Sequence, residues 1–189
     1  DRIHIHGISM SSVATEEDLR YPIGKFAAPE AYTKESRETA FVQMAEAPAL
    51  LAAAVAGLTD EQLDTPYREG GWSIRQVVHH LADSHMQAYV RTKFLLSEEH
   101  TVVKPCPWDI WAKYADAASG PVQPSLDLIA GLHARWLQYL RALPDDAFAK
   151  TMEHPVNGPM SLDRLMALYG WHGRHHTAQI TGLRQRLSW

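Results

Sequence analysis

Near the C-terminus the chain reads "LYGWHGRHHTAQI", with His172, His175 and His176 inside a segment of helical periodicity. On a helical wheel of roughly 100° per residue, Leu165, Leu168, Tyr169, Ile180 and Leu183 form one apolar stripe. His172 and His176 sit at its centre, four residues apart, with Gln179 beside them. Arg174 points the opposite way and His175 lies on the flank. Burying such polar groups without partners costs roughly 1–3 kcal/mol each. Two histidines at i and i+4 on one helix face can hold a single metal ion. The same pair can also be core histidines bonded to side chains or water.

A metal needs further ligands, and "VVHHLADSH" supplies candidates in His79, His80 and His85. The apolar stripe there is Ile74, Val77, Val78, Leu81, Ala88 and Tyr89, and His85 lies in it. His80 shares a mixed side with Ser84, Gln87 and Arg91, which could line a polar pocket. Periodicity alone favours His85 and leaves His80 second.

Four long segments position these residues. They run from about Lys34 to Leu58, Ser73 to Leu96, Ser125 to Leu143 and Ser161 to Leu187. Ser73 with Gln76 three residues on forms a capping box that marks the second start. Pro48 is expected to kink or interrupt the first helix. Strand signals are weak, "HTVVKPC" being short and broken by proline. The link between the second and third helices is the longest and carries "PWDIWAKYADAA", read as a short helix. A long link permits a crossover, so the expectation is an all-α four-helix bundle, up-down-down-up.

The 189 residues suit a single domain over 13–189, with 1–12 read as a tail in which Met10 is a candidate natural start. His4 and His6 fall in that tail. A net charge of −4 argues against a nucleic-acid partner. No apolar run approaches a membrane span. The single cysteine, Cys106, suits a reducing cytoplasm. Its proline neighbours and lack of a motif argue against a nucleophile.

"YPIGKF", "QLDTPYREGGWSIRQVVHHLADSHMQAYVR" and "LYGWHGRHHTAQI" together resemble the DinB-like superfamily, specifically its YfiT branch, from about Tyr21 to the C-terminus. The resemblance implies a four-helix bundle with a crossover and a divalent metal held by three histidines. Carried onto this chain, these are His80 of "HHL", and His172 and His176 of "WHGRHH". It overrides the preference of the wheel for His85. The resemblance implies another histidine in some relatives where this chain has Arg174, which faces away from the stripe. The resemblance also implies a cytoplasmic homodimer that acts on a small molecule. It allows a metal-dependent hydrolase, or a transferase that attaches a low-molecular-weight thiol such as bacillithiol to an electrophile. A relative of maleylpyruvate isomerases, which use mycothiol, is a further thiol-dependent option.

Three neutral imidazoles leave a doubly positive ion with an open position, as in catalytic sites. A water there can reach a pKa near ~7, and a coordinating thiol is deprotonated outright. Helix 161–187 has no carboxylate after Asp163, and Asp83 turns outward from the His80 side. That absence tilts the reading toward thiol S-transfer, with metal-bound hydroxide in a hydrolase as the alternative and a non-enzymatic metal-binding stress protein as the third. Zinc is the default metal, with nickel or manganese next. Gln179, Ser84 and Gln87 are candidates to orient the ring nitrogens. Trp72, Trp108, Trp111 and Trp171 could wall a pocket or serve as plain core. Arg91 could meet an anionic thiol or form a surface ion pair.

Overall fold

The computed structural model describes residues 14–189; the tail of 1–12 therefore lies outside the described residues. The elements in chain order are helices α1 (Glu16–Arg20), α2 (Lys34–Val55), α3 (Asp60–Leu63), α4 (Ile74–Ser97), α5 (Trp108–Trp111), α6 (Ala115–Ser119) and α7 (Gln123–Arg141). A 3-10 turn (Asp145–Ala149), a hairpin of β1 (Thr151–His154) and β2 (Gly158–Ser161), and helix α8 (Leu162–Leu187) follow.

The long helices α2, α4, α7 and α8 make the bundle. Helix α2 packs on α8 and α7, and α4 packs on α7 and α8. Consecutive helices α2 and α4 are thus diagonal, as are α7 and α8. Contacts between them give the directions. His79 meets Ser125 and His85 meets His133, so α4 and α7 run parallel. Ala40 lies against Gly170 and the Ala54 carbonyl accepts from Arg184, so α2 and α8 run parallel. His80 faces His176 while Ser84 meets Tyr169, so α4 and α8 are antiparallel. The order is up-down-down-up, and the crossover is the 98–122 link that returns the chain for a parallel α7.

Local chemistry explains the ends. Ser73 accepts from the Gln76 amide while the Gln76 side chain accepts from the Ser73 amide, closing the capping box at the start of α4. Ser161 caps α8 in the same sense through the Arg164 amide. Helix α2 ends at Val55, short of Leu58, yet runs through Pro48 without a break. A proline in a helix leaves the carbonyl four residues back without its N–H partner. That carbonyl belongs to Met44, and the ring of His133 bonds it at 2.6 Å. The neighbouring helix therefore supplies the donor that proline removes.

Two apolar clusters fill the bundle. One gathers around Trp136, Met44, Leu165 and Met166, the other around Leu51, Ile74, Leu81 and Ile180. Buried histidines of α4, α7 and α8 lie in the same interior. The hairpin was not expected from strand propensity. Its signal is Asn157-Gly158, with Gly158 at φ +67°, a backbone state favourable to glycine. No helix among the described residues is long and apolar enough to cross a membrane.

Candidate metal centre

Helix α8 must approach its neighbours closely to bring its histidines inward, and two glycines permit this. A Cβ on Gly173 would stand 3.0 Å from the Ala47 Cβ, and one on Gly170 would stand 3.3 Å from the Ala40 backbone. On the other side, the first turn of α4 is tied to the α3 turn and to the crossover through Arg75, which is 4% exposed. Its guanidinium donates to Asp64 at 2.6 Å, Asp60 at 2.9 Å and the Gly120 carbonyl at 2.9 Å. Gln76 donates to the Ala112 carbonyl at 2.7 Å. These bonds draw the crossover over the His80 end of α4.

The structure brings His80, His172 and His176 together. Each offers one ring nitrogen, and the three lie within 4.8 Å of one another. The Nε2 atoms of His80 and His172 are 3.4 Å apart. An ion bonded at about 2.0–2.1 Å in a tetrahedron separates its ligand nitrogens by roughly 3.3 Å, so the donor set fits a divalent cation. His176 directs Nδ1 to the Gln179 Oε1 at 2.8 Å. Because an amide oxygen only accepts, this nitrogen carries the hydrogen and leaves Nε2 a free lone pair. The amide of Gln179 is itself oriented by donation to the Arg20 carbonyl at 2.9 Å.

Electrostatics keep the rings ready. Burial, then the neighbouring His175, pushes His80 down to about 3. Burial likewise holds His172 and His176 well below the ordinary histidine range. Neutral imidazole is the form that binds metal.

Other expected residues fall differently. His85 is fully buried and lies outside the trio, bonded to His172 and His133. His79 is a satisfied core histidine, bonded to the Ser125 hydroxyl at 2.8 Å. Ser84 was expected to orient a ring; its hydroxyl instead meets the Leu81 carbonyl, and its own carbonyl accepts from Tyr169. Gln87 is half-buried and bonds none of the rings among the described residues. Arg91 donates to the Lys104 carbonyl and to Cys106 Sγ. Trp72 and Trp108 flank the His80 ring at 4.7 and 5.2 Å. Trp111 packs behind Trp108. Trp171 stacks on His175 at 4.4 Å and lies 6.4 Å from the His172 ring.

A pocket of about 340 Å³ opens beside the cluster, lined by His176, Trp72, Trp108, Arg20, Arg68 and Asp109 among others. Asp109 is the carboxylate that helix-by-helix reading missed, because it sits in the crossover rather than on a helix that carries ligands. Arg20 and Arg68 were missed as well; neither belongs to a periodic segment.

Comparison with known proteins gives a consistent result. A family model described as the DinB superfamily matches residues 43–180. A protein of Geobacillus thermodenitrificans (strain NG80-2) named "Putative metal-dependent hydrolase" is 48% identical over 178 residues, 94% of this chain and 100% of that one. A protein of Bacillus cereus (strain 03BB102) with the same name is 45% identical over 172 residues, 91% of this chain and 99% of that one. Among solved structures, YfiT from Bacillus subtilis, described as "a probable metal-dependent hydrolase with an unusual four-helix bundle topology", matches with a TM-score of 0.88 and 43% identity, over 91% of this chain and 99% of that one.

Proposed function

Because this chain belongs to the DinB superfamily, in the branch that contains YfiT, we propose that it is a metal-dependent enzyme in which His80, His172 and His176 hold one divalent ion, zinc first and nickel or manganese next. The observation that carries this reading is the convergence of three imidazoles, one of which, His176, lines an open pocket. When bound, such an ion is a Lewis acid that lowers the pKa of a water or a thiol at its open position.

The residues of the chain supply the rest. Gln179 holds the His176 ring in one tautomer. Trp72 and Trp108 shield His80 from bulk water. Asp109 gives the pocket a carboxylate able to take a proton from the nucleophile, which favours hydrolysis of a small amide or ester. Arg20 and Arg68 give the same pocket a cationic rim, which favours a second reading: an anionic low-molecular-weight thiol of the bacillithiol kind, transferred through sulfur to an electrophile. The lone Cys106 and the family resemblance support a cytoplasmic homodimer that acts on a small molecule.

The test is metal content by mass spectrometry on protein purified without chelators or metal-affinity steps. About one divalent ion per chain is expected, and none in His172→Ala. Absence of metal from the wild type under every loading condition would remove the chemistry. Turnover of an electrophile with and without added thiol then separates the two reactions. A loaded protein silent in both screens, yet binding ligands tightly, would be a metal-binding protein rather than an enzyme.

A further inference from the structure

A chain of hydrogen bonds runs from the backbone of α2 to the metal centre. His133 Nδ1 meets the Met44 carbonyl at 2.6 Å. His133 Nε2 meets His85 Nδ1 at 2.7 Å. His85 Nε2 meets His172 Nδ1 at 3.1 Å. His85 is 0% exposed and His133 1%, and each ring nitrogen of both has its partner within the chain.

The origin of the chain decides its polarity. A carbonyl can only accept, and Pro48 has no N–H to give Met44. His133 must therefore carry its hydrogen on Nδ1. A neutral imidazole has one donor and one acceptor, so its Nε2 accepts. His85 then donates from Nδ1 and accepts at Nε2, and His172 donates from Nδ1. Only the Nε2 lone pair of His172 is left, and it faces His80 Nε2 at 3.4 Å. The ring centroids of His85 and His133 lie 4.9 Å apart with the ring planes 20° from parallel.

We propose that His133 and His85 are positioning residues that fix His172 in its Nδ1–H tautomer, through a hydrogen-bond chain anchored on the Met44 carbonyl that Pro48 leaves free. Gln179 performs the same task for His176 in a single step. The proposal rests on the three-histidine metal reading, yet its first test needs no metal.

Two-bond ¹⁵N–¹H correlation spectra of the metal-free wild type report the tautomer of each ring. Nδ1–H at His133, His85 and His172 is the expected result; Nε2–H at any of the three overturns the chain. This outcome stands whether or not the protein proves to bind metal, so the two readings fail separately. Zinc affinity, by competition with a chromophoric chelator, supplies the second readout. His133→Leu removes the anchor and should weaken zinc binding about 10–100-fold, with His172 becoming a mixture of tautomers. His133→Gln keeps an amide donor for Met44 and an oxygen acceptor for His85, and should restore both. Wild-type affinity and an unchanged His172 tautomer in a folded His133→Leu protein would overturn the proposal. If the leucine variant does not fold, the wild-type spectra and the glutamine variant still decide.

Discussion

At the scale of single residues, the interior is defined by imidazoles kept neutral. Burial pushes His80 down to about 3 and His175 to about 4. It also lowers His85 and His133 from the ordinary value. In the unfolded chain the same rings take up protons below about 6.5. The unfolded state therefore binds more protons than the folded one, and stability rises with pH across that window. The contribution is complete above the unfolded pKa and disappears as pH falls toward the folded values. In chelator-treated protein, the melting temperature by circular dichroism is expected to fall steadily between pH 7 and pH 5. A flat profile over that range would contradict burial as the cause of neutrality.

At the scale of elements, the distance between α8 and α2 sets the site. Gly173 lies three residues before His176 and directly after His172, against Ala47. Gly173→Leu forces extra methylenes into that contact and is expected to cost about 1–3 kcal/mol, read by urea unfolding. Its neighbour Arg174 is exposed, so Arg174→Ala is the control that leaves stability unchanged. Much of this level was legible in the sequence. Ser73 and Gln76 marked the start of α4, and the pair at 172 and 176 stood in a stripe that otherwise holds leucine, isoleucine and Tyr169. Periodicity favoured His85 over His80; both lie inward, and the choice depends on which α8 ring each faces. His133 gave no signal at all: it is a lone histidine on an amphipathic helix, and its meaning comes from a carbonyl on a different helix. Pro48 looked like a break for the same reason. The hairpin went unread although Asn157-Gly158 was present, since its four-residue strands carry little alternation.

At the scale of the whole molecule, the three imidazoles come from α4 and α8, two antiparallel helices of the bundle. A metal held there would bind the folded state and not the unfolded one. Mass action then adds about 2.7 kcal/mol of stability when free metal is one hundred times its Kd. The wild type should melt at a higher temperature with zinc than with chelator, by scanning calorimetry. His176→Ala should show no such difference. A shift that persists in the variant would place the stabilising ion elsewhere.

The crossover has a separate implication. The imidazoles belong to long helices whose packing the core dictates, whereas Trp108 and Asp109, which face the same pocket, belong to the 98–122 link. That strip is fastened by the Gln76 bond to Ala112, the Arg75 bond to Gly120, the Arg91 bonds to Lys104 and Cys106, and the Glu153 bonds to Thr101 and Val103. It behaves as an interchangeable faceplate bolted over a fixed engine. Grafting a different strip between the same anchor points would change which molecule is admitted, and would replace Asp109, while leaving the three histidines in place.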